Sequence, residues 1–103
     1  ILYRSVADEA ELITVALRPG YQGRGIAAGL MHDMIRDLAE RGVEKIFLEV
    51  REDNERALKL YKDFAFTTCG KRPDYYQTQS GKRFDALCLC LIVNKSLSEK
   101  KIK

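Results

Sequence analysis

Long hydrophobic runs are missing from this chain of 103 residues. No apolar stretch reaches the roughly 18 residues that a membrane-crossing helix needs, and no stretch reads as a signal peptide. A helical membrane span and a membrane partner are therefore not expected. Histidine is nearly missing too: His32 stands alone beside three cysteines, Cys69, Cys88 and Cys90, which form no C-x-x-C pair. That spacing excludes a zinc site as a reasonable expectation, and no metal is assigned. Thiols without a signal peptide point to a reducing cytoplasm. An excess of one charge is missing from the body of the chain. The net charge of +3 comes from the tail Asn94–Lys103, where Lys95, Lys100, Lys101 and Lys103 face only Glu99. The rest is neutral, which argues against a nucleic-acid-binding face built from clustered Lys and Arg. The tail itself reads as a basic, solvated end. The chain opens on Ile1 rather than Met, as a fragment or a processed product does.

What is present is ordinary for a globular protein: 46% hydrophobic and 32% charged residues, enough for one compact domain. Leu12–Leu17 (LITVAL) is short, apolar and closed by Arg18-Pro19-Gly20, so it reads as a buried strand. From Ile26 the period changes. Ile26, Ala27, Leu30, Met31, Met34, Ile35 and Leu38 fall at spacings of three and four, one apolar stripe of a helix. Arg41 and Gly42 end it, the glycine as a left-handed cap. Lys45–Arg51 (KIFLEVR) alternates, with Ile46, Leu48 and Val50 on one face and Phe47 and Glu49 on the other. Asp53 or Asn54 caps a second helix whose stripe is Ala57, Leu58, Tyr61 and Phe64. Phe66–Arg72 reads as a further strand and Pro73–Arg83 as a polar, turn-rich connection. Phe84–Val93 (FDALCLCLIV) is apolar on both faces and hence a central strand, with Cys88 and Cys90 as small core residues. The order β-α-β-α-β-β implies an α/β fold: a crossover unit followed by an antiparallel pair.

The sharpest local feature is Gln22-Gly23-Arg24-Gly25-Ile26-Ala27, placed between a strand and a helix start. Glycines there let backbone N–H groups turn toward one point, and the helix dipole adds partial positive charge. The result suits a pyrophosphate, with Arg24 adding a charge-assisted contact. Two other readings stand beside this one. In one, the glycines serve the turn alone. Gly23-Arg24-Gly25-Ile26-Ala27-Ala28 also matches the dinucleotide pattern G-x-G-x-x-A, although Arg18 to Gln22 separate it from its strand. A P-loop is excluded, because no Gly-Lys-Ser/Thr follows.

Taken whole, Leu17-Arg18-Pro19-Gly20-Tyr21-Gln22-Gly23-Arg24-Gly25-Ile26-Ala27 resembles the GNAT N-acetyltransferase motif Q/R-x-x-G-x-G/A. Leu48-Glu49-Val50-Arg51, Asn54, Ala57, Leu60-Tyr61 and Phe66 follow the later motif of that superfamily at its spacing. Within it, the chain is most similar to the RimI-type branch, the ribosomal-protein alanine N-acetyltransferases; Tyr75-Tyr76 after Arg72 and the strand Asp85–Leu91 also fit. The likeness runs from about Ile1 to Val93, which would form one GNAT domain with 94–103 as its tail. It implies a GNAT-type mixed sheet and transfer of acetyl from acetyl-CoA to an amine, the N-terminal amine of a ribosomal protein in the first instance. It implies that Gln22, Gly23, Arg24, Gly25, Ile26, Ala27 and Ala28 hold the CoA pyrophosphate. The backbone of Val15, Ala16 and Leu17 would pair with pantetheine like an added strand, and Asn54 would bond the same arm. Two departures stand out. LYKDFAF has Ala65 where the family commonly has glycine. The family's N-terminal strands and first two helices have no counterpart, and Ile1–Val6 corresponds only to the end of its third strand. In the family that segment completes the sheet and helps build the acceptor site, so a further segment or a second chain is expected to supply it. A GNAT enzyme acting on a small amine or another protein, and a non-catalytic CoA- or nucleotide-binding fragment, remain as alternatives.

Acetyl transfer from a thioester needs a deprotonated amine and a protonated leaving thiolate, so one base and one acid suffice. By resemblance Glu49 is the base and Tyr61 the acid. By position alone, Glu49 reads more readily as a surface glutamate paired with a lysine. Tyr61 by itself reads as a core tyrosine with its hydroxyl at the rim. Arg72, Tyr75 and Tyr76 either line an acceptor groove or are amphipathic strand residues.

Overall fold

A computed structural model describes residues 1–15 and 25–93. The elements in order are β1 (Leu2–Val6), β2 (Glu9–Thr14), α1 (Ile26–Glu40), β3 (Lys45–Arg51), α2 (Glu55–Asp63), β4 (Thr67–Gln77) and β5 (Arg83–Ile92). The strands form one sheet in the order β1-β2-β3-β5-β4. The expected α/β alternation is therefore present, preceded by one more strand, and β5 is an interior strand as its two apolar faces require. The chain divides into two compact units, Ile1–Ile46 with Ile92–Lys103, and Phe47–Leu91.

In the first unit β1 and β2 form an antiparallel hairpin, with Val6 opposite Glu9. Ala7 turns it at φ 56. The Asp8 carbonyl accepts from the N–H of Glu44 at 2.6 Å, which ties the turn to the start of β3. The expected strand Leu12–Leu17 is shifted: β2 starts at Glu9 and stops at Thr14. Glu9 and Glu11 concealed the start, because they occupy the outward positions while Ala10 and Leu12 point into the core. The strand is thus buried only at Ala10 and Leu12, while Ile13 and Thr14 of the expected buried strand are exposed. Ala16 and Leu17 lie outside the described residues.

α1 buries Met31, Met34 and Leu38 completely, with Val43 and Ile46 beside them in the same core. The helix ends as its sequence demands. Gly42 takes φ 84, and the N–H of Val43 reaches back to the Leu38 carbonyl at 3.0 Å, the bond of a Schellman cap. Tyr3 of β1 donates from its hydroxyl to Asp37 of α1 at 2.6 Å. That bond to a carboxylate raises the Tyr3 phenol above its ordinary pKa, with partial burial adding to it.

In the second unit Asn54, not Asp53, caps α2: its side-chain oxygen accepts from the Ala57 N–H at 3.2 Å. Asp53 is engaged by the Arg51 guanidinium instead, at 2.9 Å from Nη2. At the other end Ala65 takes φ 69 and the N–H of Phe66 bonds the Tyr61 carbonyl at 3.0 Å. This is a left-handed cap made without the glycine that such a cap favours. Phe66 then lays its ring on Tyr61, with centroids 5.8 Å apart.

β4 and β5 pair antiparallel. β4 runs to Gln77, beyond the expected Arg72, so the turn-rich connection shrinks to the residues around Thr78–Lys82, where the Thr78 N–H bonds the Lys82 carbonyl at 2.8 Å. Pro73 does not break the strand because the ladder is interrupted there: the register shifts between Arg72 and Tyr76. Cys88 and Cys90 are half-buried rather than fully in the core, since β5 alternates them with buried Leu89; Cys69 is exposed, and none of the three forms a disulfide. The tail 94–103 lies outside the described residues.

Candidate active site

Glu49 projects from β3 on the face opposite Ile46, Leu48 and Val50. Its side chain is 31% exposed, and its Oε1 lies 3.1 Å from Nη2 of Arg72 on β4. The expected ion pair therefore exists, but its cation is an arginine distant in sequence rather than a lysine. The Arg72 guanidinium also sits over the Tyr75 ring, 5.3 Å from its centroid. Tyr75 meets Tyr76 edge to face at 5.2 Å and 87°. Burial first, then the nearby Glu49 charge, raises the Tyr76 phenol above its ordinary pKa. Glu49, Arg72, Tyr75 and Tyr76 thus form one connected polar and aromatic cluster.

The bulge in β4 brings these residues together. Asp74 has a left-handed backbone, φ 54, and its N–H donates to Oδ1 of Asp85 at 2.8 Å. Oδ2 of the same carboxylate holds Nζ of Lys71 at 3.0 Å. The Asp74 N–H and the Lys71 ammonium hold the Asp85 carboxyl below the usual carboxylate range. Asp85 therefore staples both sides of an irregularity whose effect is to re-aim the neighbouring side chains. Sequence reasoning missed Asp85. Its one signal was a lone acidic residue in an otherwise apolar strand.

Tyr61 lies on the buried stripe of α2, only 9% exposed. Burial raises its phenol above the ordinary pKa, so it stays protonated throughout the neutral range. The same burial fits a core tyrosine, and the Phe66 contact serves packing in either case.

In the other unit, Gly25 is the N-cap of α1, with φ 73 and no side-chain cap bond. No acidic residue stands in the first turn. Among the described residues, a Cβ built on Gly25 would meet nothing within 4 Å. Among the described residues no side chain caps the first N–H groups of α1, and uncapped N–H groups at a helix start favour an anion. Ile26, Ala27 and Ala28 form that first turn and are half-buried. Val15 follows β2 outside the strand and is half-buried. Gln22, Gly23 and Arg24 lie outside the described residues. Among the described residues no group of His, Cys, Asp and Glu is placed to hold a metal, and no helix is long and apolar enough to cross a membrane.

The order of strands and helices, with the glycine-led start of α1 in one unit and Glu49 in the other, defines an α/β fold, and the comparisons make it specific. The pattern of the acetyltransferase (GNAT) family matches residues 1–66, and the chain belongs to that family. Over 89 residues it is 37% identical to the ribosomal protein bS18-alanine N-acetyltransferase of Escherichia coli K12, covering 86% of this chain and 60% of that protein. It is 39% identical over 83 residues to the N-alpha-acetyltransferase RimI of Mycobacterium tuberculosis, covering 81% and 51%. The crystal structure of the S18-alanine N-acetyltransferase from Escherichia coli superposes with a TM-score of 0.84 at 36% identity, over 90% of this chain and 59% of that one. The chain therefore spans about 60% of the length of the Escherichia coli relative.

Proposed function

We propose that this chain is the donor-binding and catalytic part of an N-acetyltransferase that moves acetyl from acetyl-CoA to the N-terminal amine of a ribosomal protein. The reading rests on one observation above the others: the alanine N-acetyltransferase of Escherichia coli is 37% identical across 86% of the chain. The start of α1 supports it, because it has no side-chain cap bond and no acidic residue in its first turn, and a pyrophosphate supplies the negative charge those N–H groups lack. In this reading Gln22, Gly23, Arg24, Gly25, Ile26, Ala27 and Ala28 cradle the pyrophosphate. Val15, Ala16 and Leu17 offer backbone groups to pantetheine, and Asn54 adds a contact to the same arm while capping α2.

Glu49 takes a proton from the acceptor amine, directly or through a water. The amine nitrogen bonds the acetyl carbon as the carbon–sulfur bond breaks. Tyr61 gives its proton to the departing thiolate. Burial acts on Tyr61 in two directions: it guarantees that the phenol carries a proton, and it makes that proton harder to release. The second effect is offset as negative charge gathers on the sulfur.

The test is Glu49→Gln in the native protein, with acetyl-CoA affinity and turnover measured separately. Turnover is expected to fall about 100-fold or more, the loss that accompanies removal of a general base. Affinity for acetyl-CoA is expected to hold. Unchanged turnover would remove Glu49 as the base.

A further inference from the structure

Glu49 is a long side chain on an exposed strand face, and a general base works only when its carboxylate is held where the amine arrives. Nothing on its own strand holds it: the neighbouring Arg51 is committed to Asp53 and stacks on Phe84 at 4.3 Å. The group on Glu49 is Arg72, at 3.1 Å. Arg72 is itself fixed from a second side by the Tyr75 ring. A guanidinium suits this double duty, because it is planar, permanently charged and stacks on aromatic faces while it pairs with a carboxylate.

The pair is poor as a stabilising device. Its members are 56% and 31% exposed, and solvent-exposed ion pairs contribute little to folding. Yet considerable structure is spent on placing it. Arg72 stands at the edge of a register shift, beside a left-handed Asp74. Asp85 holds that irregularity through both of its oxygens. A non-glycine residue in the left-handed region is a strained feature, and such strain gathers where a side chain must be aimed.

We propose that Arg72 is a positioning residue for Glu49: the Tyr75-backed guanidinium fixes the carboxylate toward the acceptor amine. Arg72 acts through Glu49 and takes no proton itself. The inference rests on the base assignment above and deepens it.

The experiment is a double-mutant cycle on Arg72→Gln and Glu49→Gln in the native protein, with kcat and the acceptor KM read separately. Arg72→Gln is expected to lower kcat about 10-fold, a cost in the range of a misplaced catalytic group, and to leave the acceptor KM within about 3-fold. Arg72→Lys keeps the charge but not the planar stack, so it is expected to recover part of the loss. In the Glu49→Gln background, Arg72→Gln is expected to add nothing, because residues that act as a unit are not additive. A full second loss in that background, or a rise in acceptor KM with kcat intact, would show that Arg72 touches the acceptor directly and would overturn the proposal. Glu49→Gln with unchanged turnover is a different failure, since it defeats the base assignment itself. Thermal unfolding of each variant confirms that the folded state is retained; both side chains reach solvent, so Arg72→Lys and Arg72→Gln are expected to unfold at nearly the parent temperature.

Discussion

Across the 15 residues of α1, Met31, Met34 and Leu38 are withdrawn from water, whereas none of the 11 residues of β4 reaches the core. Two are half-buried, Gly70 and Tyr76, and the rest are exposed. α1 is held by the hydrophobic effect acting on one stripe, with about 1.5–3 kcal/mol for each large side chain removed from water. β4 is held by its backbone ladder to β5 and by a few polar contacts, chief among them the Asp85 staple. The contrast teaches where chemistry has room. A packed stripe leaves little freedom to change a side chain, while a strand free of packing duty can carry arginine and tyrosine toward a reacting group.

Substitutions can break that contrast. Leu38→Ala opens a cavity in a fully buried position of α1 and is expected to destabilise the fold by about 2–5 kcal/mol in denaturant titration. A loss near zero would mean that α1 is not the packing anchor described here. Ala65→Gly tests the cap that fixes Tyr61. Relief of a left-handed alanine gains about 1–2 kcal/mol, and the added freedom of glycine in the unfolded chain takes back about 0.5–1. A net gain of roughly 0.5–1 kcal/mol, seen as a higher Tm, is expected; a lower Tm would contradict the strained geometry at φ 69. Tyr75→Ala, on exposed β4, is expected to change stability by only about 0.5 kcal/mol while lowering turnover through the loss of backing for Arg72. If it destabilised as Leu38→Ala does, the distinction between the two elements would fail.

The same contrast explains what was legible in the residues. Period and punctuation found α1 nearly to its ends, because its stripe and its Gly42 cap are local signals. They also found the outward face of Glu49, because strand alternation is local. The start of β2 was misjudged where Glu9 and Glu11 hid an alternating pattern. The end of β4 was misjudged because proline normally stops a ladder, and the bulge that accommodates Pro73 depends on Asp85 across the strand pair. The Ala65 departure was visible in the string, but its left-handed backbone was not.

The amino-acid order alone determined the alternation of strands and helices, the apolar stripes, the glycine-led start of α1 and the likeness to a family, because each is written in spacings of a few residues. Only the tertiary structure decided which cation meets Glu49, that Tyr75 backs it, and that Asp85 staples the turn between them. Two of those contacts, Asp74 with Asp85 and Glu49 with Arg72, join residues 11 and 23 positions apart through strand register, and register is set by the packing of whole strands rather than by any short pattern within one.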